Sequence, residues 1–121
     1  MGLDMYAYVT RETLPGAVDF KVNDANEIHY WRKHPDLHGW MERLYFEKGG
    51  SAERFNCVPV ALTREDLDRL EADVKARRLP YTTGFFFGES DSTDFDDDLV
   101  FIAKAREAIS AGMNVFYDSW W

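Results

Sequence analysis

Between Glu27 and Tyr45 the hydrophobic pattern changes period, and that change constrains the fold more than any other feature of the chain. Up to Trp31 the residues alternate, with Ile28 and Tyr30 opposite His29 and Trp31. From Leu37 onward, Leu37, Trp40, Met41, Leu44 and Tyr45 recur at helical spacing. Period two sends successive side chains to opposite faces of a strand, whereas a 3.6-residue period marks one face of a helix. Pro35 suits the first turn of that helix, where a missing N–H costs nothing. The stretch Tyr30-Trp31-Arg32-Lys33-His34-Pro35-Asp36-Leu37-His38-Gly39-Trp40 is therefore a strand running into a helix. It holds two indoles, two cations and two histidines. A sequence that carries both periods needs a sheet and helices packed on it.

The remaining segments fill in that frame. Leu3 to Thr10 alternates cleanly, with Leu3, Met5, Ala7 and Val9 on one face, and predicts a half-buried strand. Leu14-Pro15-Gly16 is a turn, and Ala17 to Val22 predicts a second strand. Glu27 to Trp31 is the third. Gly49-Gly50 ends the first helix, with a loop over 49–55. Cys57 to Leu62 predicts another strand, with Pro59 marking an edge or bulge. Thr63 is an N-cap that Asp66 can answer, and Leu67, Leu70 and Val74 form the apolar stripe of a second helix that Pro80 stops. Thr83 to Gly88 is a short apolar segment with three consecutive phenylalanines. Phe95, Leu99, Ile102, Ala103 and Ile109 mark a long helix closed by Gly112, and Asn114 to Trp121 is a last, aromatic strand. This order predicts one α+β domain over residues 1–121: a mainly antiparallel sheet of four to five strands with about three helices packed on one face.

Fourteen basic against 22 acidic residues give a net charge of −8, which disfavours direct nucleic-acid binding. A single cysteine, Cys57, allows no intrachain disulfide and fits a reducing compartment. No apolar run reaches the roughly 20 residues a bilayer-spanning helix needs, so a cytoplasmic protein with no membrane contact is expected.

Several residue sets have chemistry in reach. Arg32 and Lys33 stand at a helix entrance beside Trp31, where cations and free N–H groups can hold an anion and an indole can stack on a ring. The plainer reading pairs Arg32 with Asp4 or with the acids after residue 88. His34 and His38 have the i, i+4 spacing of two metal ligands, but two histidines alone do not complete a site, and His38 inside the core is the plainer reading. Cys57 with His38 could make a thiolate pair, although a lone cysteine more often packs as a small hydrophobe. Glu89, Asp91, Asp94, Asp96, Asp97 and Asp98 lack the spacing of a calcium loop. They either complement the dipole of the following helix or present an acidic surface to a basic partner. No phosphate-cradling glycine loop is present. The expected site has no catalytic set, no metal and no cofactor.

The opening Met1-Gly2-Leu3-Asp4-Met5-Tyr6, the Tyr30-Trp31-Arg32-Lys33 segment with His38 and Trp40, Thr83-Gly84-Phe85-Phe86-Phe87-Gly88, and Tyr117-Asp118-Ser119-Trp120 stand in this order along most of the chain. Together they resemble a family of small phage and prophage-type proteins that begin MGLDMY and carry a YWRK…H.W segment, an (S/T)GFFFG segment and a Y..SW-like tail. The resemblance implies a setting rather than a reaction. His34-Pro35-Asp36-Leu37, Thr83 and Asp118 depart from the pattern. The expectation is an accessory protein, rather than an enzyme, that binds a host protein through an acidic and aromatic surface. Such a protein would inhibit a defence or nucleic-acid-handling system. The alternative is a small-molecule or enzymatic site for an anionic, nucleotide-like ligand at the corner of Asp4, Tyr30, Trp31, Arg32, Lys33, His38, Trp40 and Ser119. A homodimer through strand edges and tryptophans is a third expectation.

Overall fold

The computed structural model describes residues 2–84 and 87–121. Along the chain run β1 (Asp4–Thr10), β2 (Asn26–Arg32), α1 (Pro35–Glu47), β3 (Val60–Leu62), α2 (Arg64–Lys75), α3 (Thr93–Ser110) and β4 (Asn114–Trp120). The four strands form one antiparallel sheet in the order β2-β1-β4-β3. This is the α+β class the pattern predicts.

The alternation of β1 decides which side is core. Leu3, Met5, Ala7 and Val9 are buried under the helices, as are His29 and Trp31 from β2, Val115 and Tyr117 from β4, and Val60 and Leu62 from β3. The helices meet them with Leu37, Met41, Leu44 and Tyr45, with Leu67, Leu70 and Val74, and with Phe101, Ile102 and Ala105. Each buried Val, Leu, Ile, Met or Phe among them contributes roughly 1.5–3 kcal/mol by leaving water.

Helix ends follow local chemistry. The Thr63 side chain accepts the Asp66 N–H while the Asp66 carboxylate accepts the Thr63 N–H, a complete capping box on α2. After α1, the Gly49 N–H bonds the Phe46 carbonyl and the Gly50 N–H the Tyr45 carbonyl. After α3, the Gly112 and Met113 N–H groups do the same to Ile109 and Ala108. Both are left-handed terminations, and Gly49 and Gly112 supply the positive φ they need.

Three sequence expectations are corrected. Ala17–Val22 is not a strand. It touches the sheet at a single bridge, Val18 to Val60, flanked by hydrogen bonds from Ala61 N–H to Ala17 and from Asp19 N–H to Pro59. Asp19 has a positive φ and Pro59 has no N–H to give, so the ladder cannot propagate. For the same reasons, with Cys57 also at positive φ, the Cys57–Leu62 strand shortens to Val60–Leu62. Pro80 does not end α2 either. The helix stops at Lys75, where Arg77 takes the left-handed conformation. Within the Thr83–Gly88 segment, Phe85 and Phe86 lie outside the described residues, and Phe87 is buried against the core.

Candidate functional site

Strand pairing brings the two ends of the sequence to the Trp31 corner. Asp4 is opposite Arg32 on one side and Trp120 on the other, and Met5 is opposite Trp31 and Ser119. The pleat then separates what the register collects, because neighbours along a strand face opposite ways. Asp4, Tyr30, Arg32 and Trp120 stand on the face away from the helices. There Tyr30 donates to Asp4 Oδ1 at 2.5 Å, and Arg32 Nε is 3.7 Å from the same oxygen. Lys33 is exposed, with its N–H on the Leu3 carbonyl, and its side chain runs between Gly2 and Gly88.

The other predicted corner residues are in the core. Trp31 donates its indole N–H to Asp98 at 3.2 Å. Trp40 donates to Asp73 at 2.8 Å. His38 Nδ1 accepts the Tyr117 hydroxyl at 2.6 Å. Burial, with only the Phe55 carbonyl opposing it, drives this imidazole down to a pKa of about 4, so the ring is neutral at neutral pH. Ser119 is buried, and its hydroxyl has no hydrogen-bond partner among the described residues, although it lies near enough to the Tyr117 phenol to ease that group's ionisation slightly. The eight residues therefore do not line one cavity.

The acidic run also divides. Glu89, Asp91 and Asp96 face solvent. Asp94, Asp97 and Asp98 share the inward-turning side of α3 by their i, i+3, i+4 spacing. Asp97 holds His29 Nε2 at 3.0 Å, Asp94 lies 3.5 Å from His34 Nδ1, and Asp98 is 1% exposed between Trp31 and His34. These contacts account for half of the run as structural carboxylates. His34 and His38 point to different partners, and no group of three His, Cys, Asp or Glu among the described residues could hold a metal ion. Cys57 is exposed and makes no pair with His38.

What residue-by-residue reading missed is the face of the sheet that no helix covers. Tyr30, Tyr6, Tyr8, Phe116 and Phe20 form a continuous ribbon across it, with ring centroids 5.4, 5.9, 5.3 and 5.3 Å apart in that order. The signal was available in the alternation of β1, which sets Tyr6 and Tyr8 opposite Met5 and Ala7. Carboxylates border the ribbon. Burial first, then Asp4, Glu27 and Asp118, raise the Tyr6 phenol. The hydrogen bond to Asp4 pushes Tyr30 up to about 12. At the far end a cleft of about 520 Å³ is lined by Tyr8, Phe20, Val22, Pro59, Phe116 and Asp118, among others. Burial raises the Asp118 carboxyl, opposed only by the Ser119 N–H at 2.7 Å. Trp120, 69% exposed, stands at the end of β4, opposite Asp4. Phe116 and Phe20 are buried at the cleft end of the ribbon, so the accessible rings are those of Tyr30, Tyr6 and Tyr8, and this carboxylate-bordered stretch can take a cation carried on an apolar stem.

Comparison with protein-family models, with curated proteins and with solved structures finds no match. No helix among the described residues is long and apolar enough to cross a membrane.

Proposed function

We propose that this chain is a binding protein whose uncovered sheet face docks a basic segment of another protein. In the phage or prophage setting implied by its motifs, that partner is a host protein and the outcome is its inhibition. The single observation behind this reading is the accessible row Tyr30–Tyr6–Tyr8 bordered by Asp4, Glu27 and Asp118. Tyrosine, tryptophan and arginine are enriched among the side chains that anchor interfaces, and a cation is attracted to an aromatic face. The net charge of −8 accelerates encounter with a basic surface. The nucleotide-like alternative has less behind it. Arg32 is engaged with Asp4, and Trp31 and His38 face the core.

The test uses an array of arginine- and lysine-bearing peptides, followed by fluorescence anisotropy on the best. Wild type binds basic peptides in preference to acidic ones, and affinity falls with added salt. Trp120→Ala and Asp118→Asn each weaken binding about tenfold or more, consistent with truncating an interface anchor. Equal binding by wild type and both variants refutes the reading.

A further inference from the structure

We propose that Ser90, His34 and Asp98 form a nucleophile–base–acid set for acyl transfer, a site separate from the sheet face. The three residues come from different parts of the fold. Asp98 lies in the second turn of α3, with its carboxylate buried at 1% exposure and fixed by the Trp31 indole N–H at 3.2 Å. Its other oxygen is 2.8 Å from His34 Nε2. The second ring nitrogen of His34, Nδ1, is 2.6 Å from Ser90 Oγ. Ser90 borders a cleft of about 360 Å³ between the start of α1, the end of α2 and the start of α3, with Val74, Leu79 and Phe95 on its apolar side and Arg77, Asp36, Asp91 and Asp94 on its charged side.

The order of contacts is that of a hydroxyl activated by an imidazole that a buried carboxylate orients. With His34 neutral, Nε2–H donates to Asp98 and Nδ1 accepts the Ser90 hydroxyl proton. The Asp36 N–H, in the first turn of α1, donates to Ser90 Oγ at 3.1 Å. That N–H is aimed at the nucleophile's own oxygen, so the start of α1 holds the hydroxyl in position for the imidazole.

The matching substrate is a neutral ester with a short apolar acyl chain, which the Val74–Leu79–Phe95 wall accommodates. Ser90 Oγ forms a bond to the carbonyl carbon, its proton passes to His34 Nδ1, and the carbonyl π pair moves onto oxygen. Collapse breaks the bond to the alcohol oxygen, which leaves with the proton from Nδ1. Water then repeats the sequence with His34 as base, giving the carboxylic acid and free Ser90. Ester and water are consumed; acid and alcohol are formed.

The groups around the ring are Asp98 and Asp94 from α3, Asp36 from α1, Asp91 and Ser90 from the segment before α3, and the Trp31 indole beyond Asp98. The carboxylates hold the proton on His34, so activity rises with pH through an inflection above the usual histidine value.

The experiment treats the full chain with a fluorophosphonate probe and maps the adduct by mass spectrometry, alongside hydrolysis of para-nitrophenyl butyrate. The expected result is one adduct on Ser90 and a stoichiometric burst of para-nitrophenol. Ser90→Ala abolishes both, and His34→Asn slows both about 100-fold or more, as loss of a general base does. Ser51→Ala, on an exposed loop, changes neither. Labelling of the wild type needs no variant to fold, and circular dichroism checks the variants. An unmodified Ser90 in folded wild type, or ester turnover undiminished in folded Ser90→Ala, overturns the proposal and leaves Ser90 as a hydrogen-bonding cap of α1.

Discussion

Replacing Asp98 by alanine removes the one acceptor shared by two buried donors. Asp98 is 1% exposed and accepts from Trp31 at 3.2 Å and from His34 at 2.8 Å. Alanine leaves an indole N–H and an imidazole facing each other with nothing to accept either. An unsatisfied buried donor costs about 1–3 kcal/mol, and breaking a buried charge pair by removing one partner costs about 3–5 kcal/mol. Since the two figures overlap in what they count, about 4 kcal/mol is the expected loss. Against a typical domain stability of about 5–15 kcal/mol this is a quarter to most of the total. At roughly 4 °C per kcal/mol for a chain of this length, the melting temperature falls by about 15 °C. Urea unfolding followed by tryptophan fluorescence and circular dichroism measures it. Asp98→Asn keeps an oxygen for one donor and should lose about half as much. A pH series adds a second check. Burial pulls His34 down, but the hydrogen bond and charge of Asp98, with Asp94 and Asp36 behind them, more than reverse that and raise its pKa above 6.5. The proton-linked part of the stability is therefore complete below pH 6.5 and fades as pH rises through the raised value. The gap between wild type and Asp98→Ala should shrink over that window. A loss under about 1 kcal/mol for Asp98→Ala, with an unchanged m-value, would refute the buried pair as a stabilising element.

Other outcomes follow from single contacts. His38, neutral in the fold with a pKa of about 4, makes the protein lose stability as pH drops from 6.5 toward 4, on the order of 3 kcal/mol, because only the unfolded chain takes up the proton. The urea midpoint should fall less over that range in His38→Gln than in wild type. Gly39→Ala drives a methyl group into Thr82 Oγ1 and should cost about 1–3 kcal/mol, part of it recovered in the double variant with Thr82→Ala. Thr63→Ala removes one half of the α2 capping box and should cost about 1 kcal/mol in chemical unfolding, with no effect on peptide binding or ester hydrolysis. Trp120→Ala should change stability by less than about 0.5 kcal/mol, since the side chain is largely solvated.

The fold was readable where the signal was local. The alternation of Leu3–Thr10, Pro35 at the start of α1, the Thr63–Asp66 pair and the glycines after α1 and α3 each act within a few residues, and each stands where the pattern places it. The Ala17–Val22 expectation failed because alternation records which side chains prefer burial. It does not record whether a partner strand has N–H groups to offer, and Pro59 has none. The corner from Tyr30 to Trp40 was legible as a junction but not as a division. Register gathers Asp4, Trp31, Arg32 and Ser119, and the pleat sends them to opposite sides.

The sheet face and the Ser90–His34–Asp98 set show the same boundary. Sequence alone determined that Tyr6 and Tyr8 share a face, because period two is a property of the strand itself. Only the tertiary structure decided that the helices cover the opposite face and leave this one open. The sequence likewise sets Asp94, Asp97, Asp98 and Phe101 on one side of a helix. That Asp98 meets a histidine 64 positions earlier, and that this histidine meets Ser90 a further 56 positions on, depends on how α3 and α1 dock on the sheet. Local periodicity orients a side chain within its own element; which group it then meets is set by the burial of apolar surface across the whole domain, and that energy has no fixed spacing along the chain.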